Sequence, residues 1–347
     1  MSFLKNHKRL CLFLILFSLS VFSMKGQNKS PFQVVWWNVE NLFDCEHDSL
    51  KADHAFLPTS TRHWTNYRLT KKLHQIARTL VAIGKWNPPV IIGLCEVENE
   101  NVLNLLTQRS ALKSLHYRYV MTHSQDNRGI DIALLYQRDQ FKLLKAERIH
   151  PPLNKKHPTR DILYVSGLIL SQDTLDLFLC HLPSRLGGRT SFCQRNRMAE
   201  LIKQKTDSII QERERPNLII MGDFNDLIHN ETLSQMLQVK DPLTLHPEKN
   251  LLYHLYYHKV KQYGYGSYKY KGIWQMLDHI LVSGLVITPE NALHTQANDA
   301  HVARFPFLLE KDTKYGGNKP FRTYNGMRYQ GGISDHLPLY VNLELDW

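Results

Sequence analysis

Long apolar runs are missing from almost all of this chain. After Phe22 no segment approaches the ~18 apolar residues that a membrane-crossing helix needs, so no later segment is expected to span a bilayer. Cysteine is scarce, with five in 347 residues, and none is spaced as in a zinc site. There is no low-complexity linker and no repeat of fixed period, which leaves out solenoid and array architectures. Acid is short as well: 32 Asp and Glu against 43 Lys and Arg leave a formal charge of +11.

What is present begins with an export signal. Lys5, Lys8 and Arg9 precede the apolar stretch Leu10 to Phe22, and Ser23 to Gly26 form a small, weakly polar exit. That is the layout of a secretory signal peptide over residues 1–26, with a short membrane anchor as the alternative. Cys11 opens the apolar run rather than following it, against a lipoprotein processing site. Removing 1–26 takes away four cations and no acid, so the charge falls from +11 to +7. A positive surface favours an anionic partner: nucleic acid, a phosphorylated metabolite or a lipid headgroup. Of the remaining cysteines, Cys45, Cys95, Cys180 and Cys193, the second and third sit in apolar strands and read as buried free thiols.

With 43% hydrophobic and 22% charged residues the chain is globular. Strands are expected at Gln33 to Trp37, Val90 to Cys95, Asp131 to Tyr136, Leu163 to Ser171, Leu175 to Cys180, Leu218 to Met221, Gly266 to Tyr270, His279 to Val282 and Leu339 to Leu345. Several are continuous apolar runs, as in sheets covered on both faces. Leu69, Leu73, Ile76, Leu80 and Ile83 share one face of a helix over Asn66 to Gly84. A second helix is expected from about Thr190 to Arg213. Polar strand ends scattered over the whole length must meet in one place, which predicts one domain over 30–347.

Those strand ends carry the chemistry. In MGDFND, Asp223 and Asn225 follow the apolar run Asn217 to Ile220, and burying both requires partners. A carboxylate beside an amide is what holds a water next to a phosphate. Asn38 ends the first strand and can offer a neutral oxygen to a metal. Glu96 ends the second, and one or two carboxylates with water and phosphate oxygens are how Mg2+ is usually held. His181 ends another apolar strand and suits a donor to a phosphate oxygen or a general acid. Asp278 precedes a short strand, and Asp335 and His336 precede the last. Neighbouring strand residues face opposite ways, so Asp278 is the better partner to orient the His336 imidazole, and Asp335 is left to face a metal. Arg128, the Arg185 loop and Arg322 are candidate phosphate contacts. Arg322 lies in Lys314 to Gly332, where cations alternate with aromatics that could stack bases.

In this order the segments resemble the endonuclease/exonuclease/phosphatase superfamily, from about Val34 to Leu345. The resemblance implies an α/β fold, a four-layered α/β sandwich of two mixed β-sheets packed face to face with helices outside. It implies an enzyme that hydrolyses phosphate esters by in-line water attack, with Mg2+ as cofactor and Mn2+ or Ca2+ as alternatives. Asn38, Glu96 and Asp335 then belong to the metal. His181, Asp223, Asn225, Asp278 and His336 are catalytic, with the base left open between Asp223 and His336. An exported, monomeric nuclease acting on DNA or RNA is the first expectation, without a stable membrane anchor after signal removal. A sphingomyelinase-like enzyme for a lipid or small phosphate ester is the alternative. It would need an exposed apolar hairpin, for which Phe305 to Leu309 is the best candidate.

Overall fold

The computed structural model describes residues 28–152, 158–244, 246–262 and 264–347. The expected signal peptide lies outside them. Along the chain the strands are β1 (Lys29–Leu42), β2 (Ile91–Val97), β3 (Arg118–Met121), β4 (Asp131–Tyr136), β5 (Phe141–Ile149), β6 (Ile162–Ile169), β7 (Thr174–His181), β8 (Asn217–Asp223) and β9 (Leu252–His254). Then follow β10 (Tyr268–Tyr270), β11 (Ile273–Gln275), β12 (Asp278–Ser283), β13 (Leu293–His294), β14 (Ala300–Val302), β15 (Leu309–Lys311), β16 (Asn318–Pro320), β17 (Tyr324–Asn325), β18 (Arg328–Tyr329) and β19 (Leu339–Asp346). The α-helices are α1 (Asn66–Gly84), α2 (Glu100–Gln108) and α3 (Gly188–Glu212).

Two large sheets dominate. One runs β13-β19-β1-β2-β4-β3, with β14 also on β19; the other runs β5-β6-β7-β8-β12-β9. Each is mixed, with one parallel pair near its middle: β1 with β2, and β7 with β8. The period-2 alternation of side chains sorts each strand between two cores. Val34 and Trp36 of β1, Leu177 and Leu179 of β7, Met221 of β8 and Ile280 of β12 fill the space between the sheets. Val35 and Trp37 face α1 and α2 instead, and Phe178, Cys180 and Ile220 face α3. The result is a four-layered α/β sandwich. Gly93 marks where the sheets come closest: a Cβ there would lie 2.8 Å from the Trp36 ring and 2.9 Å from Leu179.

The long helices and the central strands fall close to where the apolar patterning puts them. The expected strand Gly266 to Tyr270 is different: only β10 forms, and it pairs with β11 outside the large sheets. Lys271 and Gly272 between them have φ of 46° and 85°, the backbone of a tight hairpin turn. Edge strand β5 and helix α2 escape the patterning. β5 is largely solvent-facing, so its apolar signal is diluted. α2 starts at a cap, where the Asn99 side chain accepts from the Val102 N–H. Among the described residues the four cysteines are free, with Cys95 and Cys180 buried. Among the described residues no helix is long and apolar enough to cross a membrane.

Candidate active site

The site is the inter-sheet core continued past its apolar part. Leu177, Leu179 and His181 share one face of β7; Ile219, Met221 and Asp223 share one face of β8; Asp278 lies in line with Ile280 and Val282 on β12. In register, His181 pairs with Asp223, and Asp223 with Asp278. Gly222, just before Asp223, cannot carry a side chain, since a Cβ would overlap Cys180 Sγ. The polar ends open into a cleft of ≈ 710 Å³.

Three backbone departures aim the remaining groups. Glu96 has φ 62° at a register shift in the pairing of β2, and Glu40 and Asn41 have φ 50° and 53° at a shift in β1. Asn225 has φ 50°. A left-handed conformation at a residue other than glycine costs of order 1–3 kcal/mol and persists where the surroundings impose it, which clusters at functional sites. Without its bulge Glu96 would follow the strand alternation onto the helix side; with it, the carboxylate enters the cleft.

Hydrogen bonds knit the groups together. The Asn38 side-chain amide donates to Glu96 Oε1 (3.4 Å) and to Asp223 Oδ2 (3.1 Å), and its oxygen accepts from the Glu40 N–H (2.9 Å). The Asn41 N–H donates to Glu96 Oε2 at 2.8 Å. His336 Nδ1 lies 2.6 Å from Asp278 Oδ2, and Ser267 and Trp36 donate to the same carboxylate at 2.5 and 3.0 Å. His336 Nε2 is then left facing Asp223 Oδ2 at 3.8 Å. His181 Nε2 lies 3.6 Å from Asp223 Oδ2 and 4.0 Å from Glu96 Oε1. The Asn225 N–H donates to Asp223 Oδ1 (2.9 Å) and its side-chain amide to the Leu182 carbonyl (3.0 Å).

The electrostatics separate the groups by role. Burial pushes Asp223 up to about 7, against the pull of the His336 charge. Burial opposes a charge on His336, yet Asp278 and Asp223 hold it well above the usual histidine range. Asp278 is lowered in spite of its burial, by the charge of His336 and by its three donors. His181 is pushed well below its ordinary value, by burial and then by Arg160 and Arg128, so it is a neutral donor. Burial and the nearby Asp335 raise Glu40 to about 7, while Arg322 and Lys72 pull it down.

Of the sequence-derived candidates, Asn38, Glu96, Arg128, His181, Arg185, Asp223, Asn225, Arg322, Asp335 and His336 line this one cleft, and Asp278 lies beneath His336. Four differ in detail from the expectation. The Asn38 oxygen already accepts from the Glu40 N–H, which leaves one lone pair for a metal, and its amide nitrogen bridges two carboxylates. Arg322 is held by Glu40 and Asp335, at 3.1 and 3.0 Å, rather than being free for substrate. Asp335 keeps one oxygen for the cleft, the other being on Arg322. Arg185 is exposed and bonds Gln275 at 2.5 Å, on the β11 strand. Two aromatics of Lys314 to Gly332 are not available to stack bases, since Tyr324 is buried beside Trp64 and Tyr329 packs on it, while Tyr315 is exposed. Phe305 and Phe307 stack on each other, and Phe307 lies under Arg78, so they form no free apolar hairpin.

Sequence reasoning missed Glu40, Arg160 and Tyr268. Arg160 is buried, bonds Asp126 Oδ2 at 3.1 Å and donates to the His181 and Leu182 carbonyls, fixing the end of β7. Tyr268 bridges to His336 through the backbone, with ring centroids 4.9 Å apart. None of the three left a local signal; Glu40 follows Asn38 by two residues, but its placement depends on a left-handed turn.

The donor set fits a divalent cation of the Mg2+ type. Glu96 accepts only from neutral groups, has no Lys or Arg partner among the described residues, and stands beside other oxygen donors, as a hard cation requires. Asp223, Asp278 and His336 also have ligand atoms within 4.8 Å of one another. Both oxygens of Asp278 are occupied, however, so its place in that trio is to hold His336.

The sequence matches the model of the Endonuclease/Exonuclease/phosphatase family over residues 33–345. The chain belongs to this family. Its fold recurs in D. rerio TDP2 complexed with single strand DNA product, with a TM-score of 0.55 and 17% identity over 90% of this chain and 99% of that one. It recurs in the human Nocturnin catalytic domain (TM-score 0.52, 18% identity, 92% and 97% covered) and in a Bacteroides thetaiotaomicron mannosyl-6-phosphatase (0.54, 15%, 90% and 99%). No curated protein sequence matches the chain. Family membership makes it a phosphoesterase.

Proposed function

We propose that this phosphoesterase is an exported, divalent-metal-dependent phosphodiesterase that hydrolyses polynucleotides. The observation that carries the reading is the Asp223–Asn38–Glu96 bridge facing the His336–Asp278 pair across one cleft. Glu96, with Asp335 on the same rim, would hold the cation, which when bound supplies positive charge to a phosphoryl oxygen. Asp223, raised to about 7, is matched to taking a proton from an attacking water near neutral pH. His336, held as a cation by Asp278, directs Nε2 at the same space and stabilises negative charge developing on phosphorus-bound oxygen. Neutral His181 and the unused N–H of the Asn225 amide add donors. Arg128 and Arg185 stand at the mouth and suit flanking phosphates.

Export rests on the basic-apolar-small order of residues 1–26. The TDP2 relative, complexed with single strand DNA product, supports a nucleic acid substrate; the mannosyl-6-phosphatase is the observation that keeps a small phosphate ester as the second reading. The test assays the purified mature chain side by side on single-stranded DNA, RNA, bis-p-nitrophenyl phosphate, sphingomyelin and a sugar phosphate, with Mg2+ and with chelator. Polynucleotide turnover that chelator removes is the expected result. Turnover of the sugar phosphate or of lipid alone would overturn the substrate assignment, and activity that survives chelation would overturn the metal.

A further inference from the structure

The outer face of α1 carries cations that no acid answers. Between Asp53 and Glu96 the sequence has no Asp or Glu, but it has Arg62, Arg68, Lys71, Lys72, Arg78 and Lys85. At the chain-wide frequency of 32 acids in 347 residues, about four would be expected in such a stretch. Lys72 is buried and reaches the Glu40 carbonyl and Thr323 Oγ1. Lys71, Arg78 and Lys85 are exposed and Arg62 and Arg68 half-buried, and among the described residues none of these five forms an ion pair with a carboxylate.

Aromatic rings hold several of these cations in place. Arg62 lies 4.7 Å over the Phe56 ring and 5.4 Å over Tyr324. Arg68 and Lys71 share Tyr329, at 4.2 and 5.9 Å, and Arg78 lies 4.1 Å over Phe307. A ring face orders a cation without neutralising it, whereas a carboxylate would do both. Arg68, Lys71 and Arg78 follow one stripe of the helix, ~15 Å long at 1.5 Å per residue. Lys71 and Arg78 line a shallow groove there with Tyr67, Thr70, His74 and Gln75. Exposed Arg328, beside Tyr329 on the β17–β18 hairpin, extends the same charge. The stripe also adjoins the cleft: Arg322 lines the cleft, and two residues later the Tyr324 hydroxyl donates to the Arg62 carbonyl and accepts from Arg68.

We propose that this stripe is an exosite for the phosphodiester backbone of a polynucleotide lying beyond the scissile bond. The proposal rests on the polynucleotide reading of the cleft and gives the enzyme a preference for polymer over small ester. Charge complementarity to a linear polyanion argues for it. The rings lie beneath the cations instead of forming the exposed apolar face that insertion into a lipid surface needs.

Equilibrium binding separates the exosite from catalysis. The wild-type chain and an Arg68→Gln/Lys71→Gln/Arg78→Gln variant are titrated with a fluorescent single-stranded DNA of about 30 nucleotides at about 50 and 200 mM salt, without metal, and assayed on bis-p-nitrophenyl phosphate with Mg2+. Losing three phosphate contacts should weaken binding about tenfold at low salt and flatten the slope of log K against log salt by about 2. Turnover of the small ester should stay as in wild type, which also shows that the variant is folded. Unchanged affinity and slope would overturn the exosite, even in an enzyme that cuts DNA. Loss of binding to phosphatidylserine vesicles with DNA binding intact would also overturn it, in favour of a membrane surface. Wild-type turnover of the small ester with neither cleavage nor binding of DNA would sink both proposals together, and DNA binding that depends on the stripe without DNA cleavage would sink only the reading of the cleft.

Discussion

The cleft and the outer face of α1 are both rich in cations, and they treat them in opposite ways. In the cleft Arg322 lies between Glu40 and Asp335, and Arg160 on Asp126. On α1 the partners are aromatic rings and backbone carbonyls. A cation paired with a carboxylate fixes geometry and has little charge left to offer. A cation over a ring keeps its charge for a ligand. The same residue types therefore do positioning work in one region and are free to bind in the other, a distinction that net charge cannot show.

The sharpest way to break the comparison is at the cleft. Asp223→Asn should lower turnover by about 10³-fold, since a positioned general base contributes about 10²–10⁴-fold, while the α1 variant leaves small-ester turnover unchanged. The pH profile identifies the base. If Asp223 takes the proton, the rate rises through about pH 7, where its carboxyl ionises, and is flat above. If His336 were the base, the rise would lie further to the alkaline side, because it is held well above the usual histidine range. A wild-type profile rising only at alkaline pH, with Asp223→Asn nearly fully active, would move the role to His336.

A smaller effect separates the two kinds of cation by stability. Arg322→Gln leaves Glu40 buried without its main partner, and breaking such pairs costs about 3–5 kcal/mol when both members are fully buried. The guanidinium is about a third exposed, so about 2 kcal/mol is expected at pH 8. Lys71→Gln, at an exposed position of the same stripe, should stay within about 0.5 kcal/mol, as surface substitutions do. Denaturant midpoints for the two variants check this. Equal losses would show that α1 cations are as structurally engaged as those of the cleft.

These contrasts also explain what the sequence could reveal. His181, Asp223 and Asp278 were legible because each continues an apolar face that alternates with period 2 toward the same opening. Glu96 was legible as a costly carboxylate after a buried strand, but its direction depends on a bulge at φ 62° that no alternation signals. Glu40 depends on the left-handed turn at Glu40–Asn41, and Arg160 on a loop brought beneath β7 by tertiary packing, so neither carries a local pattern. The separate tasks of Asp278 and Asp335 followed from adjacent residues facing opposite ways, and the structure puts Asp278 under His336 and Asp335 on Arg322. The α1 stripe is written only as missing acids, while Tyr329, one of the aromatics of Lys314 to Gly332 that looked like a stacking surface, turns inward under two of its cations.

The smallest predicted effect tests the acid-rich neighbour of that acid-free stretch. Glu98 follows β2 and accepts from the Asp44 N–H at 2.7 Å. Burial, and then the charges of Asp44, Asp53 and Asp48, raise it to about 8 from an ordinary 4.5. Between those two values the native chain holds a proton that the unfolded chain has released. Stability from this group is therefore full below about pH 4.5 and declines as pH rises toward about 8. Glu98→Gln keeps an oxygen for Asp44 and removes the titration. Its thermal midpoint should track wild type at pH 4.5, gain on it steadily through neutrality, and level off above pH 8. Lys71→Gln, which faces no acid, should show a difference from wild type that does not vary over the same range. A Glu98→Gln difference that is also flat, or that shrinks toward pH 8, would mean that Glu98 is ionised in the folded chain and that its acidic neighbours are relieved by a cation.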